Sequence, residues 1–244
     1  MIGVLINVAT VLAGSFLGLL LRGGIPERFT DIMMKGLGLC TIYIGICGAL
    51  EGKNTLVLIL SIVIGAVIGE LLCLDDRINA LGSLIERKLT ALAGEGSGDG
   101  QPKRHFILRG GGKIAEAFVT SSLVFCIGAM TLVGSLNAGL TGDSSLLIAK
   151  ATLDLVSSFI FASTLGAGVL LSAVFVLVYQ GGIVLLAGLV SPLLSEYVIA
   201  EMTCAGSLLI IGLGFNLLGI TKLKITNLLP AIFLPVLLCI FLKA

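Results

Sequence analysis

Apolar residues in this chain fall in long unbroken runs, not in the short alternations of soluble helices and strands. About 20 mostly apolar residues cross a bilayer as a helix. Such runs predict about eight spans, near residues 3–21, 33–50, 55–73, 117–137, 144–165, 168–191, 199–220 and 225–242. Residues 155–195 carry no formal charge and are too many for one helix, so Gly166 to Gly168 is the natural break between two spans. The expected fold class is all-α, a polytopic transmembrane helix bundle.

Polar residues concentrate between the third and fourth runs and divide the chain into three parts. Residues 1–74 form an N-terminal membrane bundle of three spans, 75–116 a cytoplasmic segment, and 117–244 a C-terminal membrane bundle of five spans. Within the polar segment, Ile78, Leu81, Ile85, Leu89 and Leu92 recur at helical spacing, with Arg77, Glu86, Arg87 and Lys88 between them. That pattern predicts an amphipathic helix over 75–93 lying along the membrane surface. The tract "GEGSGDGQ" then reads as a flexible linker. "RGGGK" lacks the Ser or Thr and the strand-to-helix setting of a phosphate-binding loop.

Composition narrows the function classes. The 244 residues are 57% hydrophobic and 12% charged, against about a quarter charged in soluble domains. The six cysteines show no paired spacing, and the single histidine, His105, has no Cys or carboxylate neighbours in sequence. No metal site, cofactor, catalytic triad or enzymatic activity is expected. The net charge of +1 and the dispersed basic residues exclude a nucleic-acid footprint.

Lys and Arg set the expected orientation. With the 74–116 loop in the cytoplasm, twelve of them lie inside, including Arg22, Arg28, Lys35, Arg77, Lys222 and Lys224, and only Lys53 and Lys243 lie outside. The first run lacks the basic start of a cleaved signal. The expectation is a multi-pass protein of the bacterial cytoplasmic (inner) membrane with its N-terminus outside.

Two weak internal similarities point to an inverted repeat. "VLAGSFLGLLL" in the first span resembles "VLLAGLVSPLL" in the sixth. "GLCTIYIGICGALEG" resembles "AGSLLIIGLGFNLLG", aligning Ile44, Gly45 and Gly52 with Ile211, Gly212 and Gly219. Spans one to three then run opposite to spans six to eight, the arrangement common in secondary transporters.

The costliest feature is "GDSSLLIAKATLDLVSSF", Gly142 to Phe159. A helix capped at Asp143 or Ser144 and rising about 1.5 Å per residue carries Asp154 to the bilayer midplane, with Lys150 one turn before it. Lys150, Asp154 and Ser157 or Ser158 share one face. A charge at that depth costs about 2.5–3.5 kcal/mol, and such residues face a bundle interior or an ion pathway. The structural alternatives are a packing salt bridge or a segment lying partly in the interface. Gln180 in "VYQGG" joins the candidate ligands, because a helix break at Gly181 and Gly182 would expose backbone groups. Asn7, Asn137 and Asn216 read as interhelical hydrogen-bond formers. Glu70 reads as a solvated end charge, Gly65 and Gly69 as a close-packing pair, and Pro230 and Pro235 as kinks in the last span.

The run from "GSLNAGL" through "YQGG" resembles the bacterial membrane proteins of the domain of unknown function 554, or YqgA-like, family. "NVATVLAGSFLGLLL" and "IGAVIGE" extend the resemblance over nearly the whole chain. The matching motif residues are Gly142, Asp143, Lys150, Asp154 and Gln180, with Leu155 where the family pattern carries glycine. The resemblance implies an integral membrane protein and names no substrate.

Together these readings favour a secondary transporter or permease for a small solute or ion. Asp154 would take a proton or cation, Lys150 would pair with it or receive an anionic group, and Gln180, Ser157, Ser158 and Asp143 would complete the site. The alternative is a non-transporting membrane scaffold or assembly factor acting through the cytoplasmic loop. Expected partners are the lipid bilayer and the solute or ion, with a homo-oligomer left open and no nucleic acid.

Overall fold

The computed structural model describes residues 1–22, 27–80, 83–84 and 111–242. All regular structure among them is helical: α1 (Ile2–Arg22), α2 (Glu27–Ala49), α3 (Thr55–Leu71), α4 (Leu74–Ala80), α5 (Gly111–Cys126), α6 (Ala129–Leu140), α7 (Ser145–Thr164), α8 (Gly168–Leu185), α9 (Ala187–Val190), α10 (Glu196–Leu217), a 3-10 helix (Ile225–Ile232) and α11 (Leu234–Leu242). Five of the described helices are long and apolar enough to cross a membrane, and seven spans result if the bent pairs α3–α4 and α5–α6 each count as one. The eighth expected span, 225–242, is a shorter apolar pair, because Pro230 withholds a backbone donor and the chain there winds as a 3-10 helix before α11. Of the amphipathic helix expected over 75–93, α4 and residues 83–84 are described; the rest, with the glycine tract and His105, lies outside the described residues.

Polarity is distributed inside-out. Leu5, Phe16, Leu20, Tyr43, Ile59, Val178 and Leu185 are exposed around the bundle, whereas Asn7, Lys150, Asp154, Gln180 and Glu201 are buried. Exposed apolar surface on this scale suits contact with lipid rather than water.

The helices sort into two packed groups that interleave along the chain. α1 stands with α5, α6, α7 and α8, while α2 and α3 stand with α10, the 3-10 helix and α11. This grouping cuts across the division of the sequence at 74 and 117.

Small residues set the closest crossings. α1 runs parallel to α7, with Gly3 on Leu147 and Gly18 on Ala162. At Gly14 an added Cβ would overlap Ser158 Oγ and the Leu155 carbonyl. α2 runs antiparallel to α10, with Gly38 against Leu218 and Gly52 against Cys204, and α3 crosses the 3-10 helix where Gly65 and Gly69 meet Ala231 and Asn227. The close-packing role expected for that last glycine pair is therefore the one observed.

These directions gather the connections at two ends of the bundle. At one end, Gly3 meets Ser144, Gly139 meets Ala187, and the α2–α3 turn is tied to α10, because Glu201 Oε1 accepts from the backbone N–H groups of Lys53 (2.7 Å) and Asn54 (2.8 Å). At the other end, Asn227 Oδ1 accepts from Asp75 N–H (2.7 Å) and Asn227 Nδ2 donates to Glu70 Oε2 (2.6 Å), locking the α3–α4 bend onto the 3-10 helix. Glu70 is thus a ligand of that bend as well as an exposed end charge.

Candidate functional site

The centre of the first group is polar. Ser145 to Thr164 forms an uninterrupted helix through Leu155, so Lys150 and Asp154 share a face one turn apart. Lys150 Nζ donates to Asp154 Oδ1 (2.8 Å) and Oδ2 (2.6 Å), and the two residues are only 6% and 4% exposed. Asp154 is the tenth residue of the twenty in α7 and so sits at its middle.

Two further spans bring amides to this level. Asn7 of α1 is buried against α7 beside Asp154, and its Nδ2 donates to Oε1 of the fully buried Gln180 on α8 (3.1 Å). Among the described residues, Asn7 Oδ1 and Gln180 Nε2 have no hydrogen-bond partner. Such atoms cost about 1–3 kcal/mol each when buried without a partner. Three spans thus converge on one ion pair and one amide pair, with Cys126 at the end of α5 as a fourth, buried neighbour.

The remaining sequence-selected residues stand apart from that centre. Ser158 is buried on the α1 side, its hydroxyl donating to the Leu155 carbonyl (3.0 Å), and Ser157 is half-buried. Asp143 is exposed ahead of α7, where its Oδ1 accepts from the Ser145 amide (2.9 Å) and hydroxyl (2.6 Å). Those two donors hold its carboxyl below the usual range. Asp143 therefore holds the first residue of α7 from just ahead of the N-cap position, Ser144, and lies more than two turns from Asp154. Asn216 closes the turn after α10, accepting from Thr221 and Leu223.

The helix break expected within a span is found in a different span. α8 continues through Gly181 and Gly182 to Leu185, so "VYQGG" exposes no backbone groups. Neither glycine has a neighbouring atom within 4 Å of an added Cβ among the described residues, so no close crossing there requires them. The break lies instead in the fourth expected span, where α5 and α6 meet at 62° around Gly128, whose φ of +130° suits glycine. Thr131 Oγ1 reaches across it to the Phe125 carbonyl (3.2 Å). The only signal in the sequence was a glycine inside "CIGAM".

An apolar cavity of about 320 Å³ opens beside this break, lined by Phe118, Cys126, Ile127, Tyr179, Ile232 and Phe233 among others. Neither the ion pair nor the amide pair lines it. Sequence reasoning also passed over Glu201, which is 1% exposed and whose Oε2 has no partner among the described residues. Its signal was an acid just inside a span, in "YVIAEMTC". Among the described residues no group of three or more His, Cys, Asp or Glu side chains could hold a metal ion.

The chain is similar to the uncharacterized membrane protein YdfK of Bacillus subtilis, with 29% identity over 239 residues covering 96% of this chain and 94% of the relative. It is also similar to the uncharacterized protein YqgA of Escherichia coli, with 31% identity over 239 residues and the same coverage. No solved structure matches it. Residues 2–240 match the protein of unknown function family DUF554; the chain belongs to that family and is a membrane protein.

Proposed function

We propose that this protein is a secondary transporter or permease of the bacterial cytoplasmic membrane for a small solute or ion, with Lys150 and Asp154 at its working centre. The observation that carries the reading is the burial of that ion pair in the middle of α7, joined by amides from two other spans. A buried pair is weak evidence for stability, since apolar residues of similar volume do as well or better. Ionisable residues held inside a spanning bundle more often serve an ion or proton pathway.

The mechanism follows from the pair. Protonating Asp154 removes the charge that holds Lys150 and leaves a buried unpaired ammonium. That state favours a rearrangement in which Lys150 reaches water or an anionic group of the solute. Deprotonation restores the closed pair. Gln180 and Asn7 offer the solute one donor, Nε2, and one acceptor, Oδ1.

Positive charge supports the orientation. The end at which α1 finishes and the 3-10 helix begins carries Arg22, Arg77, Lys222 and Lys224; we assign that end to the cytoplasm and the N-terminus to the outside.

The test is proton movement in proteoliposomes holding an entrapped pH dye, supplied with the small-molecule fraction of a bacterial extract. Wild-type protein should show solute-dependent proton flux and Asp154→Asn, still folded, should show none. Equal flux from both defeats the reading.

A further inference from the structure

We infer that the apolar cleft beside the α5–α6 break seats one acyl chain of a bilayer phospholipid, with Arg77 of α4 holding the phosphate of its headgroup. The inference is independent of the transport reading and needs only the membrane setting of the chain.

The walls exclude water. Residues from Phe118 to Ile127 form one side, α8 contributes Val178, the 3-10 helix contributes Ile232, and Ile78 of α4 adds the edge nearest the α3–α4 bend. Among the described residues, Ser122 and Tyr179 bring the only hydroxyls to this lining. A buried water needs about 2–4 polar partners, so two hydroxyls cannot hydrate a space of about 320 Å³.

The mouth decides what fills it instead. Val178, the eleventh of the eighteen residues of α8, is 67% exposed, and Phe233 on the opposite wall is 53% exposed. The cleft therefore opens sideways at mid-span, where the surroundings are hydrocarbon. A helix lying on the membrane surface buries its apolar face only about 5–10 Å deep, short of that level. Lipid reaches it.

Depth agrees with a single chain. From Phe118 to Ile127 the wall runs about 14 Å at about 1.5 Å per residue, close to one leaflet's share of a hydrocarbon core about 30 Å thick. Ile127 is its last residue on that side, and the chain turns by 62° just beyond it. A chain seated there joins the two helix groups, because α5 and α8 belong to one and the 3-10 helix to the other.

Charge at the Ile78 end suits a phosphate. Arg77 precedes Ile78, is exposed, and forms no ion pair among the described residues. Successive helical residues turn by about 100°, so Arg77 flanks the cleft while Asp76 lies on the far side of α4. Asp75 is held by Asn79 and lines a separate polar pocket with Glu116 and Thr226. Arg77 is thus the charge that a headgroup above the cleft meets.

The chain contains no tryptophan, so one introduced indole reports its own surroundings. Phe118→Trp in proteoliposomes should be quenched by phosphatidylglycerol carrying brominated chains, in direct proportion to the brominated fraction, as for one occupant. Leu5→Trp, on the exposed face of α1, should be quenched more steeply at low fractions, as for several exchanging neighbours. Half-quenching of Phe118→Trp should need about fivefold less brominated phosphatidylglycerol than brominated diacylglycerol, the effect of one basic residue on an anionic headgroup. Adding Arg77→Ala should erase that difference. If Phe118→Trp fails to fold, Phe175→Trp on the facing wall carries the same measurement. An indole in the cleft that escapes quenching while Leu5→Trp is quenched overturns the inference, and means that the chain's own residues 85–92 cover the cleft. Equal quenching by the two lipids, with or without Arg77, also overturns it and leaves ordinary boundary lipid.

Discussion

Lys150 Nζ lies 2.6 Å from Asp154 Oδ2 and 2.8 Å from Oδ1, inside the middle of one helix and almost out of reach of solvent. Each charge is tolerable there only because the other is present. Removing the carboxylate by Asp154→Ala should therefore destabilise the folded protein by about 3–5 kcal/mol, read as lower thermal stability in detergent or nanodiscs. Replacing both by Lys150→Met with Asp154→Leu should recover stability to within about 1 kcal/mol of wild type or better. A double variant as unstable as the single would show that the pair also organises its surroundings.

Glu201 is predicted to be structural. Its Oε1 accepts two backbone N–H groups of the α2–α3 turn, and hydrogen bonds to a charged group contribute about 1.5–3 kcal/mol each. Glu201→Ala should lower stability by about 3 kcal/mol and speed proteolysis at Lys53, with flux per folded molecule unchanged. Loss of flux at full stability would move Glu201 into the site.

Gly14 allows α1 to lie on the Leu155 carbonyl and the Ser158 hydroxyl. Gly14→Val should cost about 1–3 kcal/mol by overpacking and draw Asn7 away from Asp154. Gly181→Ala meets no neighbouring atom and replaces a helical glycine, so it should stabilise the protein by up to about 1 kcal/mol. Thermal melts of the two variants in nanodiscs should shift in opposite directions.

Asp143 supplies a pH test away from the pair. Its carboxyl is held below the usual range by the Ser145 donors, so its contribution to α7 is complete above the unfolded pKa of about 3.9. It is lost as pH falls through the lower folded value. The stability gap between wild type and Asp143→Ala should be constant near neutrality and close under acid. A gap that widened under acid would mean that Asp143 acts through some other group.

The helical membrane class was legible because apolar run length is a one-dimensional signal: α1, α3, α7 and α10 begin within about three residues of the expected starts. Lys150 and Asp154 were legible because a charge is conspicuous inside an apolar run and i,i+4 spacing fixes a shared face. Asn7 was read as one asparagine among several, since nothing local tells which partner another helix will bring. The break at Gly128 was missed and one at Gly181 and Gly182 expected, because a lone glycine and a glycine pair look alike until it is known which of them takes a left-handed φ. Pro230, expected to kink a span, instead sits inside a 3-10 helix. Which spans pack together depends on small residues meeting across helices distant in sequence, as at Gly69 and Asn227.

The most direct test of the central claim is solute-dependent proton flux through the Lys150→Met, Asp154→Leu double variant in proteoliposomes, because that variant separates packing from chemistry. The account predicts a protein as stable as wild type that moves no protons. A stable double variant with wild-type flux would contradict it and leave the ion pair as packing alone.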